Sequence, residues 1–224
     1  ITQDNDLAEK LATDGRIAFL SFIGSTRVGW SLHAKLPHGA RSALEHGGAA
    51  PAIVDRSADL GKVIEPIVKG GYYHAGQVCV STQRIFVHDD IAEDFTQKLV
   101  ARVERLRTAD PILKDTEVGP LILPREVDRV ARWIEEAVDG GATLATGGKR
   151  LSETTLQPAV LLDPPAEAKI STHEVFGPVV AVYRYDDLDD AIRQANALPT
   201  AFQSSIFAQD IDIAMRAANR LDAS

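Results

Sequence analysis

Residues 71–87 read GYYHAGQVCVSTQRIFV, and this stretch predicts the end of a helix, a connecting loop and a strand, in that order. The apolar residues before it, Val63 and Ile67, are spaced as on a helix face, and the closing RIFV is typical of a strand. The connection between them carries Cys79, which is the only cysteine of the chain. A single thiol in a connecting loop is a candidate nucleophile. A buried cysteine that packs as a small hydrophobe is the alternative.

Outward from this stretch, the chain alternates between strand-like and helix-like segments. Short apolar runs predict strands, and apolar residues three or four positions apart predict helices. The predicted strands are residues 17–22, 41–44, 52–54, 83–88, 159–162, 179–183 and 204–207, and the predicted helices are residues 6–13, 25–35, 59–72, 91–106, 125–138, 188–197 and 211–221. This alternation predicts an α/β fold with three layers, in which helices cover both faces of a mainly parallel sheet. The strands at 17–22 and 41–44 are expected to be buried.

Composition restricts the possible functions. The 224 residues carry a net charge of -8, and the basic residues are scattered, which argues against a general nucleic-acid or membrane-surface binder. One cysteine excludes an intrachain disulfide framework and a cysteine-based zinc site, and it favours a reducing, cytoplasmic setting. The six histidines do not show the helical spacing of a zinc protease, so no metal is predicted. Because the chain begins with isoleucine and stops directly after a helical pattern, we expect a fragment of a longer protein.

Residues 22–29, FIGSTRVG, predict a strand that runs into a glycine turn and then into a helix start. Gly24 lies in the turn, and Ser25 or Thr26 is the expected helix cap. Free backbone N–H groups at such a terminus suit a phosphate group. The pattern lacks the lysine of a phosphate-binding P-loop, and an ordinary strand-to-helix turn is the alternative.

Residues 44–48, LEHGG, place Glu45 at the end of a predicted strand and before two glycines. Such a carboxylate can project into a cleft, and glycines allow another backbone or a ligand to approach closely. Partial burial would suit Glu45 to act as a general base near neutral pH. A solvated loop carboxylate is the alternative.

Residues 174–178, EVFGP, precede the predicted strand at 179–183. On an extended segment, Glu174 and Phe176 are two positions apart and would point the same way. The carboxylate would then suit a pair of ribose hydroxyls, and the ring would pack on a flat cofactor. A turn glutamate and a core phenylalanine are the alternative.

In chain order, these stretches resemble the motifs of the aldehyde dehydrogenase superfamily, and the resemblance covers essentially the whole chain. The family's motifs are a Phe-Thr-Gly-Ser turn by the cofactor pyrophosphate, Glu-Leu-Gly-Gly at the general base, Gly-Gln-x-Cys at the nucleophile and Glu-x-Phe-Gly-Pro at the nicotinamide riboside. The resemblance implies an enzyme that oxidises an aldehyde to a carboxylic acid with NAD or NADP. It implies these roles: Cys79 as nucleophile, Glu45 as general base, Gly24 and Ser25 beside the pyrophosphate, and Glu174 and Phe176 at the nicotinamide riboside.

Further expectations follow from the same resemblance. Residues 1–45 would be the terminal segment of the cofactor-binding domain, and residues 46–224 would be the catalytic domain. The partners would be a small aldehyde and further copies of the full-length protein, as a homodimer or homotetramer, with neither nucleic acid nor membrane. Because most of the cofactor domain and the asparagine of the oxyanion hole would lie outside residues 1–224, we expect this chain alone to bind NAD(P) poorly and to turn over little aldehyde. By the same resemblance, Glu126 stands roughly where the family has another residue that contacts a ribose.

The chain also departs from the family pattern. His46 replaces an aliphatic residue after the proposed base, and residues 201–203, AFQ, stand where many relatives have Tyr-Gly-Leu. Two other functions stay open. One is a different cysteine enzyme, such as an acyltransferase or thioester-forming hydrolase, which would need a histidine base such as His74 or His88 near Cys79. The other is a non-catalytic relative.

Overall fold

The chain divides into two compact units, one ending at Gly47 and the other beginning at Gly48. The structure is a computed structural model that describes residue 2 and residues 4–223. The division lies close to the predicted boundary between residues 45 and 46. The cofactor and catalytic roles given to the two ranges stay predictions, and the ranges also include residues 1, 3 and 224, which lie outside the described residues.

The first unit is a short βαβ arrangement that follows an N-terminal helix. Its elements are α1 (Asn5–Ala12), β1 (Phe19–Gly24), α2 (Thr26–His33) and β2 (Arg41–His46). The two strands pair in parallel, and α2 is the crossover between them, since parallel neighbours need a long connection. Ser25 caps α2, as predicted, because its Oγ accepts a hydrogen bond of 3.4 Å from the Val28 amide.

Strands β1 and β2 are not the buried strands that the sequence predicts. Phe19 is 54% exposed and Ile23 is 80% exposed, and no residue of β1 or β2 is fully buried. The sheet has two strands, and α2 packs against both of them. An apolar strand becomes buried only when both faces of its sheet are covered, and here α2 leaves much of β1 exposed.

The second unit contains a six-stranded sheet in the order β5-β6-β7-β4-β3-β8. Its elements are β3 (Ala50–Val54), α3 (Leu60–Tyr72), a 3₁₀ turn (Tyr73–Gly76), β4 (Thr82–His88), α4 (Asp89–Val103), α5 (Pro124–Asp139), β5 (Thr143–Thr146), β6 (Ala159–Leu162), α6 (Lys169–Thr172), β7 (Val179–Tyr185), α7 (Leu188–Ala195), β8 (Ser205–Phe207) and α8 (Ile211–Ala218). All neighbouring strands are parallel except β5 and β6, which are antiparallel.

Helices cover both faces of this sheet. Side chains alternate along each strand, so that Ile85 joins a large core with α3, α4 and α5, whereas Ile53 and Phe86 join a smaller core with α7 and α8. The predicted three-layer α/β fold with a mainly parallel sheet is therefore confirmed. Within the described residues, no helix has the length and apolarity needed to span a bilayer.

Candidate active site

Cys79 lies in a tight turn between the 3₁₀ turn and β4. The Ser81 amide donates a 2.9 Å hydrogen bond to the Val78 carbonyl, which closes a four-residue turn with Cys79 at its second position. The thiol is free and half-buried. Because the peptide group is planar and trans, the Cys79 N–H points opposite to the Val78 carbonyl and so away from the closing hydrogen bond.

The residues before this turn have an unusual backbone. His74, Ala75 and Gly76 are all left-handed, with φ values of 48°, 57° and 69°. For residues other than glycine, such a conformation costs about 1–2 kcal/mol each, so the surrounding structure must hold it in place. This stretch turns the chain sharply from the end of α3 toward Cys79. The sequence pattern did not predict it.

Gly76 allows this loop to contact the segment that carries Glu174 and Phe176. A Cβ atom on Gly76 would stand 2.1 Å from the Gly177 carbonyl oxygen, a distance that real Cβ atoms do not reach. The structure therefore brings the Cys79 loop and residues 174–178 together, with glycine required at the contact.

Gln77 hydrogen-bonds the same loop to the segment that precedes α5. Its Nε2 donates hydrogen bonds of 3.2 Å to the carbonyls of His74 and Pro120, and its Oε1 accepts a 2.9 Å bond from the Ile122 amide. One side chain thus satisfies three backbone groups and fixes two loops with respect to each other.

Glu174 is a carboxylate in a partly dry environment. Burial raises the pKa of the Glu174 carboxyl above its ordinary value, and the Gly48 amide and the charge of Arg129 oppose that shift. Its Oε1 is buried and has no hydrogen-bond partner among the described residues. Because an acceptor buried without a partner is costly, this oxygen fits a ligand that brings a hydroxyl or amide donor.

Phe176 does not lie on an extended segment, and the reasoning that predicted parallel side chains for Glu174 and Phe176 is wrong on this point. Its φ is 47°, in the left-handed region, so the backbone turns at this residue. The ring is 41% exposed and forms one wall of a cavity of about 720 Å³. Tyr73, His74 and Ile122 also line this cavity.

Two residues that the sequence analysis did not select hold the segment before Phe176. The Arg129 Nη2 donates a 2.8 Å hydrogen bond to the Val175 carbonyl, and the buried Gln83 accepts a 2.8 Å bond from the Val175 amide. Glu126 is paired with Arg129 at 2.8 Å, and this hydrogen bond lowers the pKa of Glu126. A signal for Gln83 was present, because a glutamine shortly before the apolar run 85–87 of a predicted strand calls for hydrogen-bond partners if it is buried.

Gly24, Ser25 and Glu45 meet at the carboxyl ends of β1 and β2 in the first unit. Gly24 lies opposite His46, and Ile23 lies opposite Glu45. Glu45 is exposed rather than partly buried, because it lies on a strand of a sheet with little cover. The Ser25 hydroxyl serves as the helix cap, which leaves backbone N–H groups of the first turn of α2 as donors for an anion.

Neither histidine that the sequence analysis considered as a base is paired with Cys79. The His74 ring packs on Tyr73, with ring centroids 4.0 Å apart, and His88 packs edge-on against Tyr185 at the far end of β4. Among residues 4–223, Cys79 has no histidine as hydrogen-bond partner. The geometry therefore lacks the thiol–imidazole pair that a cysteine hydrolase uses.

The sequence as a whole matches one protein family. The profile of the aldehyde dehydrogenase family matches residues 1–224. The chain belongs to the aldehyde dehydrogenase family. Its relatives in this family include NAD(P)-dependent aldehyde dehydrogenases.

Two curated aldehyde dehydrogenases illustrate the similarity. The chain is 36% identical over 218 residues to 3-sulfolactaldehyde dehydrogenase of Priestia aryabhattai, covering 97% of this chain and 45% of that protein. It is 37% identical over 205 residues to succinate-semialdehyde dehydrogenase (NADP(+)) 1 of Mycobacterium tuberculosis strain H37Rv, covering 90% of this chain and 45% of that protein. The chain thus spans about half the length of these curated aldehyde dehydrogenases.

Two solved structures of other proteins share the fold. An NADP-dependent enzyme of E. coli matches 99% of this chain and 47% of its own chain with a TM-score of 0.95 at 32% identity. Aldehyde dehydrogenase 21 of Physcomitrella patens, solved with the reaction product succinate, matches 99% of this chain and 46% of its own chain with a TM-score of 0.94 at 34% identity.

Proposed function

We propose that the protein oxidises an aldehyde to a carboxylic acid with NAD or NADP, and that Cys79 is its nucleophile. The observation that carries this proposal is the hydrogen-bonded turn that presents the chain's only thiol, in a chain that matches the aldehyde dehydrogenase family from end to end. A thiol held at the second position of a tight turn is fixed in direction yet half-exposed, as a nucleophile must be.

Each unit, taken by itself, has groups that suit a part of a dinucleotide cofactor. The unpartnered Glu174 Oε1 suits the donor hydroxyls of a ribose, and Phe176 offers an exposed ring for a flat group. Gly24, Ser25 and the first turn of α2 suit the pyrophosphate, because the backbone N–H groups there are free to donate. When bound, NAD(P)⁺ accepts the hydride that an aldehyde must lose on oxidation.

The chain's own residues would act on the substrate as follows. The Cys79 thiolate adds to the aldehyde carbon and forms a thiohemiacetal, and after oxidation Cys79 carries the acyl group as a thioester. The Cys79 N–H, directed out of its turn, donates to the oxyanion. Glu45 takes a proton from the water that hydrolyses the thioester, and the carboxylic acid leaves.

The finer parts of the proposal concern substrate, assembly and location. The two curated relatives are named for 3-sulfolactaldehyde and succinate semialdehyde, which are aldehydes that bear an acidic group. A substrate panel for this protein should therefore pair acidic aldehydes with neutral aldehydes of equal length. We further propose a cytoplasmic homodimer or homotetramer, in line with the single thiol and the family resemblance.

The test is aldehyde-dependent formation of NADH or NADPH, measured on the 224-residue chain and on any longer product of the same gene. Cys79→Ala should abolish turnover, and Glu45→Gln should slow thioester hydrolysis so that a single burst of reduced cofactor remains. Acyl transfer without a nucleotide requirement would favour a different cysteine enzyme. No turnover by any product of the gene with any aldehyde would favour a non-catalytic relative.

A further inference from the structure

Gln203 lies in the connection between α7 and β8. Its Nε2 donates a hydrogen bond of 2.6 Å to the carbonyl of Val80, which is the residue after Cys79. The two residues are far apart in sequence, so this bond joins two separate parts of the second unit at the turn that holds the thiol.

On its other side, the turn is hydrogen-bonded to α3 through Ser81. The Ser81 Oγ donates to the carbonyls of Gly70 and Gly71 at 3.2 and 3.4 Å, and the Ser81 amide closes the turn onto Val78. The turn is therefore held by α3 on one side and by Gln203 on the other.

The connection that carries Gln203 is itself held in place. A Cβ atom on Gly48 would stand 2.3 Å from the Thr200 carbonyl oxygen and 2.9 Å from the Ala201 Cα, so the two backbones are in direct contact. The same Gly48 donates its amide toward Glu174. Gln203 thus reaches the turn from a segment that is packed against its neighbours.

We propose that Gln203 is a positioning residue for Cys79. The Val78 carbonyl is fixed by the Ser81 amide and the Val80 carbonyl is fixed by Gln203. The Ser81 bond holds the peptide group directly before Cys79, and the Gln203 bond holds the peptide group after Val80. Because each peptide group is planar, the backbone of Cys79 lies between two held groups and has little freedom. The directions of its Sγ and its N–H are then set before a substrate arrives.

This inference rests on the proposed role of Cys79, and its test separates the two. In Gln203→Met, the side chain keeps its length but loses the donor. The rate at which iodoacetamide alkylates Cys79 is measured on the complete folded chain and on the chain unfolded in urea. Cys79 is the only thiol, so the rate reports on one site. Gln97→Met is the matched control, because Gln97 is an exposed glutamine on α4 whose amide, within the described part of the chain, bonds only to Glu93.

Loss of one hydrogen bond should move the alkylation rate of Gln203→Met about three- to tenfold toward the rate of the unfolded chain. Gln97→Met should keep the wild-type rate. In Gln203→Glu, the carboxyl can donate to the Val80 carbonyl only when protonated. The departure from the wild-type rate should therefore grow as pH rises through the carboxyl range, a pH dependence that a packing defect does not produce.

Where turnover is measurable, Gln203→Met should lower kcat and leave KM for the aldehyde nearly unchanged, since the residue acts on the nucleophile rather than on substrate binding. Equal alkylation rates in wild type, Gln203→Met and Gln203→Glu would overturn the positioning role. A shifted alkylation rate, when no product of the gene shows aldehyde-dependent turnover, would uphold the positioning role and refute the proposed oxidation.

Discussion

Gly76 and Gly177 are in backbone contact, and the place of a Cβ on Gly76 lies 2.1 Å from the Gly177 carbonyl oxygen. This contact joins the loop of the sole cysteine to the segment of Glu174 and Phe176. It also relates two motifs that lie far apart in the sequence, each with a glycine at the point of contact.

Gly76→Ala should destabilise the chain by more than the strain of placing alanine in a left-handed conformation. The new methyl group clashes with the Gly177 carbonyl in addition to the strain at φ 69°. We expect a loss of about 2–4 kcal/mol in the free energy of unfolding, measured by urea denaturation. Gly148→Ala is the control, since Gly148 has a φ of 75° but its Cβ would meet the side chains of Leu144 at 3.4 Å and Ile134 at 3.7 Å, which are ordinary contacts. Equal losses in the two variants would contradict the clash.

Gln83→Leu should cost about 2–4 kcal/mol in the free energy of unfolding. The buried Gln83 amide donates to the carbonyls of Ile170 and His173 at 2.8 and 2.7 Å and accepts from Val175. Leucine would leave these three backbone groups buried without hydrogen-bond partners. Urea denaturation measures the loss, and Gln97→Leu on the surface should change the free energy by less than about 0.5 kcal/mol.

Glu174→Gln should change how stability depends on pH. Because burial raises the pKa of Glu174, the folded chain prefers its protonated form. This contribution to stability is fully present below the ordinary carboxyl pKa. It is lost as pH rises through the raised pKa of the folded chain.

The wild type should therefore lose stability relative to Glu174→Gln across that pH window and hold a constant difference above it. Urea denaturation at a series of pH values gives the difference. Glu153→Gln, at an exposed position, supplies the control. A difference that grows in the opposite direction would show that the charged form of Glu174 is favoured in the folded chain.

Arg129→Met should weaken cofactor binding more than it slows chemistry. The guanidinium holds the Val175 carbonyl at 2.8 Å and lies 4.7 Å from the centre of the Trp133 ring. Methionine can still pack on Trp133, but it loses the hydrogen bonds to Val175 and to Glu126. We expect KM for NAD(P) to rise about three- to tenfold with a smaller change in kcat. Arg132→Met, at an exposed position of the same helix, should leave both constants unchanged.

Periodicity predicted most of the elements because they carry strong apolar patterns. The α5 helix shows this, since Val127, Val130 and Ile134 lie on one face and all are buried. Strand β5, Thr143–Thr146, escaped prediction because it is short, partly exposed and follows Gly140-Gly141, which reads as a stop signal. Helix α6 has only four residues and no sequence signal of its own.

The candidate site was predictable as a list of motifs and not as a geometry. The sequence singled out Cys79 and Glu174, but the left-handed conformation of Ala75 follows from tertiary packing, because alanine rarely adopts it. The burial of β1 was wrongly expected for a related reason. An apolar run indicates that the faces of a strand favour burial. Whether they are buried depends on which other elements pack against the sheet, and the run itself does not reveal this.

The open strands of the first unit have a consequence for handling the protein. Among the described residues, β1 and β2 pair only with each other, so each leaves one row of backbone groups free beside exposed side chains such as Ile23. Repulsion between chains of net charge -8 opposes edge-to-edge stacking at low ionic strength. Because added salt screens this repulsion and strengthens apolar contact, purification at high salt is expected to promote precipitation, and dilute buffer is expected to keep the chain dispersed.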